Sequence, residues 1–149
     1  MSQHRQQLIM GHPKIVAMLA IKNEERWIAK TLESLEEICD SIVILDDGSE
    51  DNTVKICEDY KKVVEIHKNS NLPTDKSRDK NILLKMAKKR NPDYILTLDG
   101  DEAIIPNSKD MFFEEINVLY PESNVFEFEF LYIWDKPNQY RYDGYYCQA

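Results

Sequence analysis

The chain has 149 residues, 42% of them hydrophobic and 31% charged, a composition that suits one folded domain with a real core and excludes a disordered segment. Its formal net charge of −8 argues against a nucleic-acid partner, because phosphate-backbone binding rests on clusters of lysine and arginine; an anionic small ligand then needs a metal ion or a local positive patch to receive it. Cys39, Cys57 and Cys147 show neither a paired nor a zinc spacing, the first residues lack the apolar run of a signal peptide, and no later run nears the ~18 residues that cross a bilayer, so a cytoplasmic protein without a transmembrane segment is expected.

Residues 1–13 read as an N-terminal extension and 14–149 as one domain. Lys14 to Ala20, KIVAMLA, is a short apolar run that suits a strand buried on both faces. Asn23 then opens a helix, with Glu24 and Glu25 in its first turn and Trp27, Ile28, Thr31, Leu32, Leu35, Ile38 and Cys39 at helical spacing. Ser41 to Leu45 is a second strand, and a helix follows from Thr53 to Tyr60. Val63 to His67 is a third strand, followed by a polar loop and a helix from Arg78 to Arg90 that Asn91-Pro92 ends. Tyr94 to Leu98 is a fourth strand. Strands alternating with helices of this length predict parallel pairing and an α/β domain. Beyond Pro106, Lys109 to Leu119 suits one more helix, and Asn124 to Trp134, NVFEFEFLYIW, alternates as a half-exposed strand does. The spacing of Phe126, Phe128, Phe130, Tyr132 and Trp134 favours packing over sugar stacking; Tyr140, Tyr142, Tyr145 and Tyr146 suit an acceptor groove or a cover for the sheet equally.

In parallel α/β sheets the ligand crevice lies beyond the carboxyl ends of the strands. Three segments of this chain fall there: Ala20-Ile21-Lys22-Asn23-Glu24, Asp46-Asp47, and Asp99-Gly100-Asp101. A single Asp-x-Asp is common as a plain turn, and Ser49 or Asp51 suits the cap of the following helix. Asp46 is different, because a carboxylate so near a buried run needs a partner or a water-filled crevice. Two carboxylate pairs at one edge repel each other unless a cation or donors lie between them, and hard oxygen ligands suit Mn²⁺ or Mg²⁺. Gly100 leaves room for the backbone to approach a ligand. Glu102 suits a helix start and a ligand equally, and His4, His12 and His67 are scattered.

The set AIKNEE, ILDDGSEDNT, SRDKN at a helix start and DYILTLDGDE resembles the family 2 glycosyltransferases of the GT-A fold, in the right order and over residues 14–105. The resemblance implies a three-layer sandwich with a mostly parallel sheet, helices on both faces, and metal-dependent, inverting transfer of a sugar from a nucleotide-sugar donor, UDP-linked, to an unknown glycan, lipid or protein acceptor. It implies that Asp47 accepts from the imide of the base, with Asp46 beside it, and that Ala20, Lys22 and Glu24 line base and ribose. Asp99 is then set against the ribose or the metal-bound water, with Gly100 beside it, and Asp101 ligates the metal. Arg78 or Lys80 faces the diphosphate. Family members continue beyond the length of this chain with an acceptor-binding half, so a donor-binding part is expected, and Asp143 in RYDGYY is the candidate for the catalytic base. Two other readings stand beside this one. A binding module without turnover fits the same motifs, and Asp99-Gly100-Asp101-Glu102-Ala103 is close to the nucleophile signature of aspartyl-phosphate hydrolases.

Overall fold

A computed structural model of the chain describes residues 12–69, 75–119, 125–128, 132–133 and 140–141. The first apolar run forms strand β1, Ile15–Ile21, with only Met18 and Ala20 not fully buried. It is followed by α1 (Ile28–Leu35), β2 (Ser41–Asp46), α2 (Thr53–Glu58), β3 (Val63–Lys68), α3 (Lys76–Lys88), β4 (Tyr94–Asp99) and α4 (Lys109–Glu114). A π-helical turn, Glu115–Leu119, extends α4, and two short strands, β5 (Tyr132–Ile133) and β6 (Tyr140–Arg141), pair antiparallel. The main sheet has the order β3-β2-β1-β4 and all three of its pairings are parallel.

Period-two alternation sorts this sheet into two cores. Ile15, Ala17, Leu19 and Ile21 of β1 join Ile42 and Ile44 of β2, and against them pack Ile28, Leu32 and Leu35 of α1, Cys57 of α2, Phe112 and Ile116. Val16, Val43 and Leu45 point to the other face, where Leu83, Met86 and Ala87 of α3 cover them. Helices therefore lie on both faces, as the three-layer α/β reading expected. Each aliphatic side chain buried this fully contributes about 1.5–3 kcal/mol. The amino edge of the sheet is tied off by carboxylates: Asp40 accepts the Ile15 amide at 2.7 Å and Asp93 the Lys14 amide at 2.8 Å.

Several element boundaries differ from the sequence pattern. The helix expected from Asn23 starts at Ile28, because Asn23 takes a left-handed φ of 54° and Glu24 to Trp27 make a separate turn closed on the Glu24 carbonyl. Trp27 is accordingly 41% exposed instead of inward, with Arg26 and Lys30 over its ring. Helix α2 ends at Glu58, short of Tyr60. Helix α3 begins two residues early because Asp75 caps it, accepting from the Ser77 and Arg78 amides, and it stops at Lys88. Asn91 then turns at a φ of 50°. Val125 to Phe128 form no strand: Phe126 meets Tyr94 edge-on and Phe128 stacks on Phe112, so hydrophobic packing overrides the alternation there. Phe130, Trp134, Tyr142, Tyr145, Tyr146 and Asp143 lie outside the described residues.

Candidate active site

The parallel register brings three acidic or polar strand ends level. Ile21 of β1 is opposite Asp46 of β2, Ala20 is opposite Asp99 of β4, and Asp46 is opposite Lys68 of β3. The segments after β1, β2 and β4 therefore meet at one edge, with β1 between the two carboxylate pairs.

The first two of these segments are clasped together. Ser49 Oγ accepts the Asn23 amide at 2.9 Å, Thr53 Oγ1 accepts the Glu24 amide at 2.7 Å, and Asp51 Oδ2 accepts the Glu25 amide at 3.2 Å. In return Asn23 Oδ1 accepts the Glu50 amide at 2.8 Å and Glu25 Oε2 the Asn52 amide at 3.0 Å. Each loop thus satisfies backbone donors of the other. Desolvation pushes the Asp51 carboxyl upward, but hydrogen bonds from the Thr53 hydroxyl and amide and from the Glu25 amide outweigh it and hold Asp51 below its ordinary value. Neither Ser49 nor Asp51 takes the N-cap position of α2, which is Asn52, without a side-chain capping bond.

The Asp46-Asp47 doublet divides its labour. Asp46 is 3% exposed and both of its carboxylate oxygens accept the Ser49 amide, at 3.1 and 3.3 Å. The partner that a buried charge requires is the turn itself. Asp47 is less buried, 3.4 Å from Lys22 Nζ on one side and 3.4 Å from Asn69 Nδ2 on the other. Lys22 remains largely exposed.

At the other pair, Asp99 and Asp101 are exposed and Gly100 lies against the fold. A Cβ on Gly100 would come within 2.9 Å of Glu24 Cγ and 3.0 Å of Ile21 Cγ2. The close approach that glycine permits here is to Glu24 and Ile21 of the same chain, where the sequence suggested a ligand. Thr31, buried in α1, anchors the segment by donating to the Gly100 carbonyl at 2.9 Å, and Glu102 accepts the Asp99 amide at 2.8 Å. Burial raises the Glu24 carboxyl above its ordinary value, and the charges of Asp101, Asp51 and Asp99 raise it further. Burial likewise raises Glu102; the bond from the Asp99 amide opposes this, and the Asp99 and Asp101 charges add to it. The segment after β4 is a concentration of negative charge.

The family model described as Glycosyl transferase family 2 matches residues 17–128. The chain belongs to this family. An uncharacterized protein of Methanocaldococcus jannaschii is 33% identical over 94 residues, which cover 58% of this chain and 40% of that one. An uncharacterized protein of Mycobacterium tuberculosis is 31% identical over 94 residues, covering 59% of this chain and 23% of that one. Among solved structures, S. aureus TarS aligns with a TM-score of 0.56 at 24% identity over 70% of this chain and 19% of its own, and TarS 1-349 with a TM-score of 0.59 at 23% identity over 70% and 32%. The chain spans less than half the length of each of these proteins. The fold is of the GT-A glycosyltransferase type.

Within this family 2 domain, the strand edge gathers Ala20, Lys22, Glu24, Asp46, Asp47, Asp99, Gly100 and Asp101, as the motifs suggested. Arg78 and Lys80 lie in the first turns of α3 and part company there. Two residues apart on a helix they point about 160° from each other. Arg78 folds onto Asp79, with Nε 2.9 Å from Asp79 Oδ1, while Lys80 is exposed. Arg78 Nη2 is also 2.9 Å from that oxygen, at an angle too poor for a hydrogen bond. The family match sets aside the aspartyl-phosphate hydrolase reading of Asp99 to Ala103.

Sequence reasoning missed Asn69 and Asp79, buried beside Asp47 and Arg78. The signal for Asn69 was present, since it follows β3 as the other segments follow β1, β2 and β4. Asp79 was hidden inside the basic run SRDKN. For a divalent ion, the oxygen donors free to face one at this edge are the exposed carboxylates of Asp99 and Asp101. Among the described residues no three His, Cys, Asp or Glu side chains converge as a closed metal site, so any ion held there needs further ligands from a substrate or water.

Proposed function

We propose that this chain is the donor-binding part of a metal-dependent glycosyltransferase that takes its sugar from a nucleotide-sugar, UDP-linked. The observation that carries the reading is the register that sets Asp46 and Asp99 on either side of β1, level with Ile21 and Ala20. Asp47 and the acidic segment Asp99 to Asp101 then follow strands that end at one edge of the sheet, which supports a base at the first and a cation at the second.

In this reading Asp47 accepts the imide N–H of uracil, which needs an acceptor held in place; Lys22 and Asn69 flank its two oxygens. Ala20, Lys22 and Glu24 line base and ribose, and the clasp to Ser49, Asp51 and Thr53 keeps that lining rigid. Asp46 serves by shaping the turn that presents Asp47. Asp101, with Asp99, would hold Mn²⁺ or Mg²⁺, which when bound supplies positive charge to the diphosphate. Arg78 adds a fixed cation for the negative charge that develops on the departing nucleotide. Inverting transfer further needs a carboxylate within about 2.6–3.2 Å of the acceptor hydroxyl, and Asp143 is the candidate in this chain.

Calorimetric titration with a panel of nucleoside diphosphates, with and without Mn²⁺, tests the donor assignment: UDP with Mn²⁺ binds tightest, and indifference to base and metal refutes it. A second reading, a nucleotide-binding module without turnover, fits the same carboxylates at the sheet edge. Single-turnover assays over a panel of UDP-sugars separate the two. Transfer or hydrolysis abolished by Asp143→Asn assigns catalysis to this chain, and tight binding without turnover assigns it to the module.

A further inference from the structure

Asn69 and Asp79 form a buried polar unit that the donor reading leaves without a task. They are 5% and 6% exposed. Asn69 stands directly after β3, where its backbone amide donates to the Asp46 carbonyl at 2.8 Å. Its side-chain Nδ2 donates to Asp79 Oδ1 at 3.0 Å and to Asp47 Oδ1 at 3.4 Å. Asp79 Oδ1 also accepts Arg78 Nε at 2.9 Å. One amide and one carboxylate oxygen therefore connect Asp47, at the end of β2, to Arg78, at the start of α3.

The orientation of the Asn69 amide is informative. Its Oδ1 is buried and accepts no hydrogen bond from the described residues. The flipped amide would turn that oxygen toward two carboxylates and replace two attractions by two repulsions. The amide is thus oriented to place an N–H donor between Asp47 and Asp79. Asp79, a buried charge, is in turn compensated by Arg78 and Asn69.

We propose that Asn69 and Asp79 are positioning residues that hold the Asp47 carboxylate and the Arg78 guanidinium in one fixed relative placement, so that the base and diphosphate ends of a nucleotide are bound as a unit. The inference rests on the reading of Asp47 and Arg78 as nucleotide contacts. A guanidinium held before binding loses less rotamer freedom when the ligand arrives, and a carboxylate tied to the same bridge shares that preorganisation.

The experiment is a double-mutant cycle of Asp47→Asn and Arg78→Lys, read by calorimetric titration of UDP with Mn²⁺, in the parent chain and again with Asn69→Ala or Asp79→Asn. In the parent, the double variant departs from the product of the single effects by about threefold or more. With Asn69→Ala or Asp79→Asn the two effects become independent. A purely structural Asn69 would lower the melting temperature and leave the non-additivity intact, and that result overturns the proposal, as does independence in the parent. Asp79→Asn keeps the side-chain shape and carries the test if Asn69→Ala fails to fold. Absence of any nucleoside diphosphate binding by the parent refutes the donor reading itself, and this inference with it, before a variant is made.

Discussion

Replacing Thr53 by valine keeps the shape of a fully buried side chain and removes one hydroxyl. That hydroxyl accepts the Glu24 amide at 2.7 Å and donates to Asp51 Oδ1. Thr53→Val leaves the Glu24 N–H facing a methyl group, and an unpaired donor of this kind costs about 1–3 kcal/mol. The melting temperature should fall by about 2–12 °C in a chain of this size. Thr53→Ser keeps the hydroxyl and loses one buried methyl, about 0.8 kcal/mol by transfer alone. The informative order is therefore parent, then serine, then valine, although valine is the more apolar replacement. Urea denaturation followed by tryptophan fluorescence, with an unchanged slope, measures it. Valine as stable as serine would mean that the clasp contributes nothing and that Thr53 is present for packing. A pH series adds a sign. Asp51 is held below its ordinary value, so the stability it contributes is complete above the unfolded value, roughly pH 4, and is lost as the pH falls through the lower folded value. The gap between parent and valine should narrow in that acid range.

Gly100→Ala should lower the urea midpoint by an amount worth about 1–3 kcal/mol, because its Cβ would crowd buried Ile21 as well as Glu24; an unchanged midpoint refutes the tight seat of this loop. Burial pushes the Cys39 and Cys57 thiols up to about 12, so iodoacetamide at pH 8 followed by peptide mapping should leave both unlabelled in the native chain and label both in urea. Asp47→Asn should weaken UDP binding while leaving the affinity for inorganic diphosphate with Mn²⁺ near that of the parent, since an amide can donate as well as accept. Equal losses for both ligands would make Asp47 a turn residue.

The parallel sheet was legible because KIVAMLA, SIVIL and YILTL are short apolar runs separated by helical spacings, and the carboxyl-edge rule then set Asp46, Asp47 and Asp99 to Asp101 at one edge. What local pattern does not carry is contact between distant segments. The clasp joins Asn23, Glu24 and Glu25 to Ser49, Asp51 and Thr53 across 26 to 29 positions, so Glu24 and Glu25 read as helix-dipole partners when they belong to a turn and its hydrogen bonds. Asn23 read as a helix start for the same reason, since a left-handed φ has no signature in hydropathy. Asp46 announced that it needed a partner without naming it. Val125 to Phe128 alternate like a strand, yet Phe126 and Phe128 pack on the rings of Tyr94 and Phe112, contacts between distant positions that alternation does not encode.

The most direct test of the donor-binding account is calorimetric titration of UDP in Mn²⁺ with the parent chain and with Asp101→Ala. Asp101 is exposed and outside both cores, so its truncation leaves the fold intact and the melting temperature near that of the parent. Donor binding through this edge predicts metal-dependent binding by the parent and at least a tenfold loss in the variant, about 1.4 kcal/mol or more. Equal affinity of the two proteins for UDP, or binding by the parent that chelation of the metal does not change, would contradict it.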